Sequence, residues 1–102
     1  MSRYYTLIGQ TPVPCADLLE WALWFESTDA DRRVAYTEVS GCRVSTVFLG
    51  LDHNFGFGPP LLFETMAFMP DGDTEQERCS TWAEAEQQHA AMVQYVLNEV
   101  ES

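Results

Sequence analysis

The sequence predicts an α+β domain of order β-α-β-β-β-α, an antiparallel meander with two helices packed on it. Three observations carry this. Val44-Ser45-Thr46-Val47-Phe48-Leu49 is a dense run of β-branched and aromatic residues. Two stretches, Asp17 to Ser27 and Thr81 to Val100, repeat apolar residues at helical spacing. Ser40-Gly41 is a tight-turn pair between two strand-like runs, so consecutive strands should pair antiparallel. At 102 residues with 46% apolar content, the chain fits a single domain, residues 1–102, with material for a packed core.

The elements follow in order. Tyr4 to Ile8 reads as a short strand ended by Gly9. Thr11-Pro12-Val13-Pro14 reads as an extended break, because two prolines forbid helix. In the first helix Leu18, Trp21, Ala22 and Phe25 form the expected buried stripe. Trp24 falls outside it, angularly between Asp17 and Glu20, and either covers a neighbouring loop or stands as an exposed aromatic anchor within an acidic rim. Arg33 to Ser40, Arg43 to Leu51 and Leu61 to Met69 are the next three strands. The last is apolar on both alternating sets, which predicts a central strand with both faces covered. Pro70 to Glu77 reads as an acidic loop with turn chemistry. Thr81-Trp82-Ala83-Glu84 matches a capping box, and Ala85, His89, Met92, Val93, Val96 and Val100 are the stripe of the helix that follows.

Charge narrows the function classes. Sixteen acidic residues face five arginines and no lysine, a formal net charge of -11. Such a surface repels nucleic acid and anionic membranes, so no direct nucleic-acid or membrane binding is expected. It suits a partner with a basic surface, or simply solubility. No apolar run approaches the length of a membrane span, and the start of the chain lacks the layout of a signal peptide. Cys15, Cys42 and Cys79 are odd in number and far apart, which argues against a disulfide framework and against zinc. No metal or other cofactor is implied.

The nine residues Asp52-His53-Asn54-Phe55-Gly56-Phe57-Gly58-Pro59-Pro60 make a long connection for a hairpin. Asp52 and Asn54 would shape the turn through nearby backbone N–H groups. Phe55 and Phe57 would either plug the end of the sheet or, with His53, form a contact patch. Glu64 sits inside an apolar strand and needs a partner, with Arg43 and His89 as candidates. His89, on the apolar stripe, reads as a partly buried imidazole bonded to a carbonyl or carboxylate. Catalysis would require His53, His89 and Glu64 to converge on one cleft, and no nucleophile elbow is present. No catalytic residue is assigned.

The stretch from Val44 to Met66 resembles a small protein family encoded in bacteriophages and prophages. The shared pattern is V-S-T-V-F-L-G-L-D-H-x-F-G-x-G-P-P-L-x-F-E-T-M. Glu20 to Glu26, Cys79 to Ala85 and Gln88 to Val93 are similar to flanking pieces of that family, with departures at Ala67, Met69, Cys79 and Gln88. The resemblance implies a phage or prophage context and a place in the cytoplasm of an infected or lysogenic bacterial host. It implies no activity. The expectation is a non-enzymatic accessory protein that binds a host protein, as a counter-defence or anti-CRISPR-like factor whose carboxylates stand in for phosphates. Asp71, Asp73, Glu75 and Glu77 would supply the acidic surface, with Trp24 and the Phe55/Phe57 loop completing the contact. Alternatives are a nucleotide-binding protein in a homo-oligomer, with aromatics and Arg33 or Arg43 in its pocket, and a minor structural phage protein.

Overall fold

The computed structural model describes residues 3–101. Its centre is a four-stranded antiparallel meander in the order β3 (Arg33–Val39), β4 (Cys42–Phe48), β5 (Phe63–Phe68), β6 (Thr74–Cys79). In β4, Cys42, Val44, Thr46 and Phe48 are buried. In β5, Phe63, Thr65 and Ala67 are buried. The register pairs Val44 with Ala67, Thr46 with Thr65 and Phe48 with Phe63, so these residues share one face. The long C-terminal helix α2 (Trp82–Glu101) lies on that face, contributing Ala85, His89, Met92 and Val96. The fold is α+β, as the sequence predicts.

Several local signals act as expected. Ser40 (φ 51°) and Gly41 (φ 80°) both adopt the left-handed conformation that a two-residue hairpin needs. The Thr81 hydroxyl accepts from the Glu84 N–H at 3.1 Å, and Glu84 accepts from the Thr81 N–H at 3.1 Å, completing the capping box.

Four expectations are corrected. The acidic stretch is only partly a loop, because Thr74–Cys79 is an edge strand. An edge strand needs one ladder of hydrogen bonds and no apolar face, and its charges guard it against further pairing. Thr11–Pro14 is likewise a strand, β2, paired with β1 (Tyr5–Ile8) in a separate two-stranded sheet. Its prolines are tolerated because Pro12 and Pro14 alternate with the bonded positions. The ladder continues with the Cys15 N–H donating to the Tyr4 carbonyl at 2.8 Å. The second face of β5 is not covered by a helix. Glu64, Met66 and Phe68 are half-buried by neighbouring strands alone.

The fourth correction concerns α1 (Leu18–Ser27), which is turned away from its expected stripe. Leu18 is 55% exposed and Ala22 is exposed, while Trp21, Trp24 and Phe25 face inward. The Trp21 indole donates to the carbonyls of Tyr5 (2.9 Å) and Gly50 (3.1 Å) and stacks on Phe25 at 4.8 Å. Gly50 has φ 77°, and a Cβ there would lie 3.1 Å from Phe25 and 3.2 Å from Trp21. The bare backbone of Gly50 therefore lets the aromatic rings settle. Trp21 and Phe25 face inward either way, and the rotation brings in Trp24, whose ring meets Phe48, in place of Leu18 and Ala22. Val100, the last residue of the expected α2 stripe, is 42% exposed.

The core has two apolar parts. One gathers Cys42, Val44, Ala67, Met92 and Val96, the other Phe48, Leu62, Phe63 and Ala85. Among the described residues no helix is long and apolar enough to cross a membrane.

Candidate functional site

The sequence-derived candidates occupy separate places. The loop from Asp52 to Pro60 is held by its own Asx side chains. Asp52 Oδ1 accepts from the N–H groups of Asn54 (2.8 Å) and Leu61 (3.0 Å), which closes the loop base. Asn54 Oδ1 accepts from the Gly56 N–H at 2.9 Å, and its Nδ2 donates to the carbonyls of Phe57 (3.2 Å) and Pro59 (2.9 Å). Asp52 and Asn54 are thus turn-shaping residues. The aromatic rings do not plug the sheet. Phe55 is 79% exposed and Phe57 104%, with the Arg3 guanidinium 4.8 Å from the Phe55 ring centre. His53 is half-buried, and its N–H donates to the Leu61 carbonyl at 3.0 Å.

Trp24 is not an exposed anchor. It is half-buried and meets Phe48 edge-on at 6.0 Å, as part of the Phe48/Phe63 cluster. Its position on the helix surface was legible, but the direction from which the sheet would approach was not.

His89 lies between the two apolar clusters. Its Nδ1 is 2.8 Å from the Thr46 hydroxyl and its Nε2 is 2.8 Å from the Thr37 hydroxyl. Thr46 in turn meets Thr65 at 2.7 Å. The partners are hydroxyls and not the expected carbonyl or carboxylate. Burial pulls the imidazole pKa below its ordinary value, so the neutral ring is favoured. A neutral ring offers one donor and one acceptor, and the rotatable hydroxyls satisfy both.

Glu64 faces away from His89. It accepts from Arg78 Nε at 3.0 Å across the β5–β6 ladder, so Arg78, and not Arg43, is its partner. Adjacent strand residues point to opposite faces, which puts Glu64 and the Thr65–His89 network on opposite sides of the sheet. His53, His89 and Glu64 share no cleft. Burial, followed by the Glu84 charge, pushes the Cys79 thiol up to about 11, which suits a thiol that stays protonated.

The acidic residues are the candidates that the fold gathers. Glu75 and Glu77 sit opposite Ala67 and Thr65, on the face of the sheet that carries α2. Between β6 and α2 lies a cavity of about 340 Å³ lined by Glu75, Glu77, Gln88, Ala91, Met92 and Tyr95. A neighbouring cavity of about 300 Å³ shares Glu75 and Tyr95 and adds Asp71, Asp73 and Glu99 around Met69 and Val100. Together they form a groove with an apolar floor and carboxylate walls. Tyr95 donates to Glu75 Oε1 at 3.3 Å. Burial and the charges of Glu75, Glu99 and Asp73 hold its hydroxyl pKa above the ordinary value, a sign of the negative field there. Gln88 donates to the Arg78 carbonyl at 3.3 Å, yet its Oε1 is buried without a hydrogen-bond partner. Tyr95 and Glu99 were missed from sequence, although their i, i+4 spacing places them on one helix face.

The groove and the phenylalanine loop do not form one surface. The loop leads into Phe63 at the start of β5, and the acidic turn leaves from Phe68 at its end. Six strand residues separate them by roughly 17–20 Å. The pocket expected of a nucleotide binder also takes another form. The cavity that Arg43 lines, at the β3–β4 hairpin, contains Glu38 and no aromatic residue. Comparison with protein-family models, with curated proteins and with solved structures finds no match to this chain. What fold and site define is an α+β protein with one helix-covered meander face and an acidic groove at its edge.

Proposed function

We propose that this chain is a small phage- or prophage-type accessory protein that acts by binding, in the cytoplasm of a bacterial host. Its target is a host protein with a basic surface, in the manner of a counter-defence or anti-CRISPR-like inhibitor. The observation that carries the reading is the convergence of Asp71, Asp73, Glu75, Glu77 and Glu99 on one groove floored by Met92 and Tyr95. Lysine and arginine side chains have this complementary makeup: an apolar stem for the floor and a cationic head for the walls. The phage context rests on the resemblance alone, carried by Val44 to Met66 and the flanking pieces Glu20 to Glu26, Cys79 to Ala85 and Gln88 to Val93.

The test is capture from bacterial lysate at low and high salt, using three proteins. These are the unaltered chain, a groove variant (Glu75→Lys with Glu77→Lys) and a loop variant (Phe55→Ser with Phe57→Ser). The expected result is one basic host protein held at low salt and released at high salt. The loop variant keeps it and the groove variant loses it. With the purified partner, groove reversal slows association by about tenfold or more and flattens the salt dependence. An unchanged on-rate, or a loss confined to the loop variant, refutes the groove as the contact.

A further inference from the structure

We infer that the uncovered face of the β3–β6 sheet is a self-association surface, on which a second copy of this chain stacks sheet against sheet. The register defines that face. Tyr36 lies opposite Ser45, Ser45 opposite Met66, Val47 opposite Glu64 and Arg43 opposite Phe68, all on the side away from α2. An antiparallel sheet with one solvated face normally turns polar residues outward. Here the two central strands turn out Val47, Met66 and Phe68, and the edge strand adds Tyr36, 43% exposed. Two of the arginines on this face lie against its rings. Arg43 sits 5.0 Å from the Phe68 ring centre and Arg33 5.4 Å from that of Tyr36. The Tyr36 hydroxyl donates to Glu38 at 2.6 Å, and Arg78 is paired with Glu64.

Charge selects the occupant. The whole chain carries 16 acidic and 5 basic residues, so two copies repel one another over most orientations. On this face the strands present three arginines (Arg33, Arg43 and Arg78) against two glutamates (Glu38 and Glu64). It is a near-neutral, slightly cationic island on a strongly anionic molecule. A second copy meets the least repulsion if it approaches there. A basic partner is drawn to the groove instead. Under two-fold symmetry the face meets itself, so its three arginines and two glutamates stand against the same set on the other copy. Four strands about 4.8 Å apart and six residues long span roughly 20 Å by 20 Å, about 400 Å² of flat contact. That is below the roughly 800 Å² per partner of a standard interface, so the dimer should be weak and form only at high concentration.

The experiment is analytical ultracentrifugation of the full chain from a few to several hundred micromolar. It is run at low and high salt beside three variants: Met66→Glu, Arg43→Glu and, on the outer face of α1, Leu19→Glu. The expected result is a concentration-dependent rise from the chain mass to twice that mass. It shifts to lower concentration as salt screens the net charge, by several-fold in dissociation constant. Met66→Glu and Arg43→Glu stay monomeric at high salt, and Leu19→Glu dimerises like the unaltered chain. Arg43 is exposed, so its variant decides the matter if Met66→Glu fails to fold. A monomer at several hundred micromolar overturns the inference. So does a dimer that loosens with salt, or one broken by Leu19→Glu and not by Arg43→Glu. The opposite salt sign for the basic partner keeps this result separate from the fate of the groove.

Discussion

The two helices solve the same problem in different ways. Over its twenty residues α2 buries Ala85, His89, Met92 and Val96 against the sheet and holds both halves of the core together. Over its ten residues α1 buries none completely and leaves Leu18, Leu19 and Leu23 at 55%, 70% and 61% exposure. It is held by the edges of Trp21, Trp24 and Phe25, by two indole hydrogen bonds and by the Asp17 cap. The lesson is that α2 is stabilised by volume and α1 by a few directional contacts. A lesion in the first should unfold the protein, and a lesion in the second should release one element.

The largest effect is expected at the centre of the α2 lobe. Phe63→Ala removes a fully buried ring that touches Phe48 and Trp82. A loss of about 3–5 kcal/mol in urea unfolding is expected, enough to unfold a marginal domain as a whole. Gly50→Ala sharpens the comparison from the other side. Its strain at φ 77° and the contact with Phe25 should cost about 1–3 kcal/mol. Hydrogen exchange should quicken in α1 and leave α2 protected. Equal quickening in both helices would mean that α1 and α2 open as one unit.

The smallest effect is a slope. His89 has its folded pKa pulled down from 6.5 by burial. The unfolded chain therefore binds the proton more readily, and this contribution to stability is full above pH 6.5. It is lost as pH falls below that value toward the folded pKa. Protonation of the many carboxylates relieves repulsion and acts in the opposite direction, chiefly below about pH 5. The informative quantity is thus the difference between the unaltered chain and His89→Gln, measured by thermal unfolding from about pH 7.5 to 5.5. The variant should lose about 1–2 kcal/mol at neutral pH and show a flatter acid slope. A parallel pair of curves would remove His89 as the titrating group.

How much was legible follows from how local each signal is. The Thr81–Glu84 box, the Ser40-Gly41 turn, the β4 run and the role of Asp52 and Asn54 were readable, because each is closed by residues within a few positions. The β6 strand was not, because Thr74 to Cys79 becomes a strand only through its ladder with β5. The same holds for β2, whose prolines argue against any strand until β1 supplies the alternate register. The four loop acids were recognised as a surface, but their groove needs Tyr95 and Glu99 from a helix, eighteen or more residues away.

What the sequence determines by itself is its chemistry and its short-range geometry. That includes a strongly acidic chain with few cations, helix starts, turns and the alternation within each strand. Tertiary structure alone decided which side of α1 meets the core, which face of the sheet stays open and where the carboxylates converge. The physical reason is that these choices compare areas and charges contributed by distant segments. Trp24 meets Phe48 in place of Leu18 and Ala22, and one layer of helices can cover only one face of a sheet.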